Sequence, residues 1–422
     1  MTKPCHENSA VTLRSDISER LAVIRKFFSL GSILVALCAS LFTTGAIASA
    51  APAPTIPDPD VFYAAPADIA DHAPGDILAS RRADAWMYPN TDIWQLKYRS
   101  TNSAGAPVAA VTTVLMPRGR GAGTPLVSYQ AVINALGVKC APSHGLFTYE
   151  IGEAPSLYLG MVARGWAVAV PDYLGPNGAY GAAEYEGRLT LDGVRAVQNF
   201  EQLPLKDSPV ALLGYSGGAL ATSWAGAMAP TYAPELNIVA SVQGGIPADL
   251  ELIAKNLGYS PIPHPAFGMA LAASLGLERE YPTEFPVSEN LNAAGLALRD
   301  QVSNQCRRPI IIGGAFKSAR DLSNVDIASL PSAQAVLKKN SLVDYEGVPT
   351  APVYMWQGIN DFITPFAPVK ETVDRYCAAG ATVQFRAYPF AEHFSGSLVG
   401  LPEAYAYVDA RFRGEPAPSN CA

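Results

Sequence analysis

The 422-residue chain predicts an α/β fold: a mostly parallel sheet with helices on both faces and a mainly helical cap or lid inserted late in the sequence. Three observations carry that expectation. Short, continuous apolar runs alternate with helical stretches, as strands buried on both faces of a parallel sheet and joined by right-handed crossovers do. About a hundred residues between Gly245 and Tyr345 break this rhythm and read as mostly helical, with Pro-rich joints such as Pro261-Ile262-Pro263-His264-Pro265. A serine stands between one of the strand-like runs and the helical run that follows it.

Taken in order, the chain opens with a basic segment holding Lys3, Arg14, Arg20, Arg25 and Lys26. An apolar run over 27–47 follows, then Ala48-Ser49-Ala50 and the Pro-rich Ala51-Pro52-Ala53-Pro54. Basic, apolar and small-residue regions in that order make residues 1–50 a secretory signal peptide, so the mature chain is expected outside the cell. The alternative is an uncleaved anchor at the cell surface, because the run is about as long as a membrane helix needs. Residues 51–90 read as a Pro- and Ala-rich leader over the surface. Strands are expected near 93–99, 108–116, 125–132, 166–171, 210–215, 238–242, 353–357 and 383–388. The first two, joined by Ser-Ala-Gly-Ala-Pro, form an antiparallel hairpin. Helices fall at 185–202, 218–229 and 369–379, and Ile310-Ile311-Ile312 is short enough for one strand inside the insertion. The division is therefore 51–245 and 346–422 for the two parts of the core, with 246–345 as the cap. A long insertion on the carboxyl side of a sheet usually shapes a ligand site, so a cap is favoured over a mere spacer.

Composition narrows the function. The formal net charge is −7, and removing residues 1–50 takes away five Lys/Arg and three Asp/Glu, which leaves −9. With no Lys/Arg stripe, nucleic acid is not an expected partner. At 49% hydrophobic the chain has ample core for a folded domain. Cys5 and Cys38 leave with the signal, and Cys140, Cys306, Cys377 and Cys421 remain, an even number in an exported chain. Two disulfides are expected, with three connectivities open. A Cys377–Cys421 bridge would tie down the tail, and a Cys140–Cys306 bridge would pin a distant segment to the core. Neither a C-x-x-C motif nor a Cys/His cluster suggests a metal.

The most informative stretch is Leu212-Leu213-Gly214-Tyr215-Ser216-Gly217-Gly218-Ala219, which contains Gly-x-Ser-x-Gly. In a chain with 35 glycines, chance supplies about 0.2 such matches, so the motif alone says little. Its setting says more. A buried strand before it and a helix after it place Ser216 on a sharp strand-to-helix turn, where glycines at 214 and 218 avoid clashes with the neighbouring elements. The helix start supplies N–H groups to an oxygen that becomes negative.

A serine hydroxyl needs a base, normally a His oriented by a carboxylate. Of five histidines only His264 and His393 follow Ser216. His264 lies among prolines, where a packing or surface role is expected. His393 lies just past the last strand, on a loop at the sheet's carboxyl end, which makes it the candidate base. Asp361, after the strand at 353–357, is the candidate acid; Glu392 reads as a supporting or solvated neighbour and Asp374 as a surface residue of the intervening helix. Phe267, Met269, Leu271 and Phe285 would either line an acyl slot or form the cap's own small core.

Several further motifs occur in order along 85–420: Tyr129-Gln130 with Cys140-Ala141-Pro142-Ser143, Pro171-Asp172-Tyr173-Leu174-Gly175, Leu191-Asp192-Gly193-Val194-Arg195, Tyr232-Ala233-Pro234-Glu235-Leu236-Asn237, and Gly358–Pro365 followed by Ala391-Glu392-His393. On these the chain resembles the secretory lipases of fungi and actinobacteria, the Candida antarctica lipase A-like group. The resemblance implies an α/β-hydrolase fold, a helical cap over the serine and carboxylester hydrolysis without a cofactor. Residue by residue it implies Ser216 as nucleophile, Asp361 as acid and His393 as base. It also implies an oxyanion hole from the Gly217 N–H and a polar residue five after Tyr129; Asn134 stands where a relative has Asp, and its amide can donate. Finally it implies the disulfides Cys140–Cys306 and Cys377–Cys421. The segment 171–181 is unusually Gly-rich for this family. The expected substrate is a lipid or small ester, met in transient contact with a lipid interface. The competing readings are an esterase, acyltransferase or serine peptidase on the same scaffold, or a non-catalytic binding module.

Overall fold

A computed structural model describes residues 50–148 and 153–421, so the expected signal segment falls almost entirely outside the described residues. Nine strands among them form one sheet in the order β1-β2-β3-β5-β4-β6-β7-β8-β9. Three antiparallel strands lead: β1 (Ile77–Ala83), β2 (Thr91–Thr101) and β3 (Pro107–Pro117). The other six run parallel to one another: β4 (Leu126–Gln130), β5 (Ala167–Pro171), β6 (Val210–Tyr215), β7 (Ile238–Gly244), β8 (Val353–Gly358) and β9 (Val383–Tyr388). β5 also pairs antiparallel with β3, which fuses the two halves.

The helices are α1 (Pro142–Thr148), α2 (Pro155–Ala163), α3 (Ala183–Gln198) and α4 (Gly217–Tyr232) before the insertion. Within it lie α5 (Leu250–Ile253), α6 (Phe267–Glu280), α7 (Val287–Asn290), α8 (Ala293–Val302), α9 (Arg307–Gly314), α10 (Ala319–Leu322) and α11 (Pro331–Lys339). α12 (Phe366–Ala378) and α13 (His393–Phe412) close the chain.

Strand periodicity explains the two-sided packing. Successive side chains point to opposite faces, so in β6 Val210 and Leu212 join the cluster containing Leu191, Val194, Leu220 and Trp224, beneath α3 and α4. Ala211 and Leu213 join the opposite cluster, with Tyr158, Met161, Tyr405 and Val408 from α2 and α13. β8 repeats this with Met355 on one face and Trp356 on the other.

Motifs that carry no chemistry hold this frame together. Asp192 on α3 accepts from Ser100 Oγ on β2 at 2.6 Å and from Tyr232 Oη at 2.9 Å, and pairs with Arg195. Asp172 accepts from the Ser143 N–H and hydroxyl at 2.9 and 2.6 Å, and burial pushes its carboxyl up to about 7. Disulfides join Cys140 to Cys306 and Cys377 to Cys421, the pairs that the resemblance implies.

The structure differs from the sequence expectations in four places. The leader contains β1, whose Arg81 and Arg82 suit an exposed sheet edge better than an apolar run would. Ile310-Ile311-Ile312 is helical, within α9. The helices α1, α2 and α13 carry weaker patterns than their packing would suggest, and none was expected. His393 begins α13 rather than lying within a loop, because Glu392 caps that helix.

Candidate active site

The site grows from the turn after β6. Ser216 has φ +54° and ψ −124°, a left-handed backbone that a side-chain-bearing residue rarely adopts. Its N–H donates to Gly244 O at 2.9 Å, and the next residue already opens α4. Only glycine fits on either side. A Cβ at Gly218 would lie 1.9 Å from Gln130 O, and one at Gly214 would lie 2.3 Å from Thr222 Oγ1.

Two segments from the sheet's carboxyl edge reach this serine. The turn after β8 carries Asp361, whose side chain is wholly buried. Its Oδ1 accepts from the N–H groups of Ile363 and Thr364 at 2.9 and 2.8 Å. Its Oδ2 accepts from Gln357 Nε2 at 3.0 Å and Thr364 Oγ1 at 2.8 Å, and lies 2.8 Å from His393 Nδ1. The opposite ring nitrogen, His393 Nε2, lies 2.8 Å from Ser216 Oγ. The imidazole is therefore held at both ends, with Nδ1–H donating to the carboxylate and Nε2 open to a proton from the hydroxyl.

A capping box fixes where the imidazole stands. Glu392 accepts from the N–H groups of Phe394 and Ser395 at 2.9 and 2.6 Å, while Ser395 Oγ accepts from the Glu392 N–H at 3.1 Å. Burial works against the charge on Glu392, yet those two amides hold its carboxyl below the usual range. Tyr215 Oη adds a bond to the His393 carbonyl. His264 takes no part: its Nδ1 accepts from the Ala266 N–H at 3.0 Å at a cap joint, and burial lowers its pKa. Asp374 pairs with Lys370 on the exposed side of α12.

Asn134 comes close to the start of α4 from the segment after β4. It is buried at φ +45°, and a methyl built on Gly217 would lie 2.2 Å from its Oδ1. Its Nδ2 donates to Met269 Sδ at 3.7 Å, while Oδ1 has no hydrogen-bond partner among the described residues. As oriented, the carboxamide turns its acceptor toward Gly217, the reverse of what an oxyanion donor requires. The two ends are nearly isosteric, and a half-turn about the last torsion exchanges them.

Two cavities meet at Ser216. A chamber of about 750 Å³ is lined by Ser216, His393 and Asn134, with Tyr215, Trp356 and Leu401 among its walls. A slot of about 50 Å³ runs into the cap past Leu220, Ile253, Leu257 and Met269, with Tyr180 and Gly181 of the Gly-rich segment on its wall. Of the four cap residues singled out in the sequence, Met269 alone lines these two cavities; Phe267, Leu271 and Phe285 are buried and line a further small cavity of about 50 Å³ within the cap. Around the chamber mouth, Leu398 is 75% exposed, Ile312 65% and Phe394 62%. Gln357, Thr364 and this apolar rim escaped the sequence reading. The first two had one usable signal, their closeness to Asp361 in the chain; the rim had none, because its members come from α9 and α13.

Residues 144–420 match the sequence model of the family described as secretory lipase. A Lipase A of Moesziomyces aphidis is 32% identical over 92% of this chain and 87% of its own length. A probable inactive lipase of Mycobacterium tuberculosis is 34% identical over 86% and 84%, and a secreted triacylglycerol lipase of Malassezia globosa is 31% identical over 87% and 83%. Among solved structures, Candida antarctica lipase A in its closed state superposes with a TM-score of 0.80 at 31% identity, covering 86% of this chain and 90% of that one.

Proposed function

The chain belongs to the secretory lipase family, whose members include secreted triacylglycerol lipases, and on that premise we propose that it is an exported triacylglycerol lipase working through Ser216, His393 and Asp361. One observation carries the reading. Ser216 Oγ, His393 and Asp361 form an unbroken hydrogen-bonded line, with 2.8 Å at each junction, and Ser216 and His393 line a largely apolar chamber.

In the proposed reaction Ser216 Oγ attacks the ester carbonyl as its proton passes to His393 Nε2. Asp361, held by four other donors, stabilises the imidazolium and keeps the ring in one tautomer. The carbonyl oxygen becomes an anion against the Gly217 N–H, joined by the Asn134 amide once that carboxamide turns. Collapse expels the alcohol with the proton from His393, and water then resolves the acyl-enzyme by the same route. Since the alcohol collects its proton from His393, the alcohol part belongs in the chamber that His393 lines. The acyl chain then takes the slot beside Leu220 and Leu257. The exposed Ile312, Phe394 and Leu398 would rest on a lipid surface as substrate enters. Export is supported by the basic, apolar and small-residue pattern of residues 1–50 and by two disulfides.

The test pairs a fluorophosphonate probe with a series of p-nitrophenyl esters from acetate to palmitate, each with and without an emulsion. Labelling at Ser216, turnover and a gain at the emulsion are expected. A folded wild type that is neither labelled nor active overturns the reading, and amide turnover above ester turnover would favour a peptidase.

A further inference from the structure

Glu153 is an ionisable side chain at the chamber wall that the proposed reaction does not use. Its Oε1 accepts from Tyr129 Oη at 2.9 Å and from the Val132 N–H at 3.2 Å, and its Oε2 accepts from Tyr158 Oη at 2.6 Å. Burial pushes its pKa up, against the pull of the two tyrosines, the Val132 amide and the charge of Arg307. A carboxylate so desolvated needs its donors, and it organises them in return.

Those donors define its place. Tyr129 belongs to β4, Tyr158 to α2, and Val132 lies two residues before Asn134. The segment from Ala131 to Asn134 has no regular secondary structure to hold it. It is fixed by Tyr173 Oη to Ala131 O at 2.7 Å, by Ile133 N–H to Ala131 O at 2.9 Å, and by Glu153. Asn134 meanwhile stands at φ +45°, a conformation that persists only when its surroundings impose it.

We propose that Glu153 is a positioning residue for oxyanion stabilisation: by gripping the Val132 N–H between two tyrosine hydroxyls it sets the backbone that presents Asn134 to the start of α4. It rests on the esterase reading, with Asn134 as an oxyanion donor, and it places Glu153 outside contact with the reacting atoms.

The experiment is a double-mutant cycle of Glu153→Ala with Asn134→Ala, reading kcat and KM on p-nitrophenyl butyrate, the rate of fluorophosphonate labelling, and Tm. Glu153→Ala is expected to lower kcat by roughly 10- to 100-fold, part of the loss typical of one oxyanion donor, with KM within about 2-fold. Labelling should slow in step. The double variant should lie within about 3-fold of Asn134→Ala alone, because the two changes remove one function. Glu153→Gln, which keeps an acceptor for the Val132 N–H, should recover most of the activity. If Glu153→Ala fails to fold, Glu153→Leu, of similar size but with no acceptor for the Val132 N–H, takes its place in the cycle with the same expected losses. Multiplicative losses, or kcat unchanged in every Glu153 variant, overturn the proposal. If Asn134→Ala itself is silent while Ser216 still reacts, the oxyanion assignment falls and the Glu153 proposal with it, while the esterase reading stands. A wild type that neither turns over nor labels sinks the esterase reading instead.

Discussion

The carboxyl edge of the sheet and the helical cap both border Ser216, and they are built on opposite principles. At the sheet edge each functional group is over-determined: Asp361 accepts from four groups besides His393, His393 is held at both ring nitrogens, and Ser216 is locked in a left-handed turn. In the cap, Phe267, Leu271 and Phe285 are buried in an apolar cluster that continues into the core, and the contact with the serine cavities is made through a few apolar side chains such as Met269 and Leu257. Chemistry demands fixed sub-ångström geometry, whereas accommodating a chain demands only volume and dryness.

If that contrast is right, substitutions at the edge should destroy turnover and substitutions in the cap should redirect it. Ser216→Ala and His393→Ala should each lower kcat by roughly 10⁴-fold or more on p-nitrophenyl esters, with Asp361→Asn close behind. Retained turnover in His393→Ala would break the comparison at its firmest point. Asn134→Ala should cost on the order of 10²-fold in kcat. Leu257→Ala should leave kcat on a short ester within about 3-fold and shift the preferred chain length upward, as a profile across the ester series would reveal. His264→Ala should change neither, although its ring lies beside Phe362.

The last test concerns stability. Burial raises Glu186 to about 8 and Asp172 to about 7, from ordinary values of 4.5 and 3.8. In that window the folded chain keeps protons that the unfolded chain has lost, so this part of the stability is present at low pH and fades as pH rises through 7 to 8. Thermal denaturation should give a lower Tm at pH 8 than at pH 5.5, and Glu186→Gln should flatten the decline. An unchanged slope in Glu186→Gln would remove that carboxyl from the account.

The same contrast decides what could be read from the chain. The parallel strands announce themselves as continuous apolar runs, and the turn at Ser216 as glycines bracketing a serine, because burial on two faces and a tight turn each restrict residue type locally. β1 escaped because an edge strand has only one side to satisfy, and its Arg81 and Arg82 look like leader. α13 escaped because its capping box, Glu392 with Ser395, reverses the usual order of residue types. Glu153 resembled any surface glutamate until its three donors came together around it.

The sequence by itself determined the layered α/β architecture and the strained serine turn, since each of these is written in neighbouring residues, and it offered Ser216, Asp361 and His393 as candidates in that order. Only the tertiary structure decided which cap side chain faces the serine, which way the Asn134 carboxamide lies, and that residues of α9 and α13 share one exposed apolar rim. Those outcomes depend on contacts between segments more than fifty residues apart, where the period of a helix or strand carries no information about which neighbour it will meet.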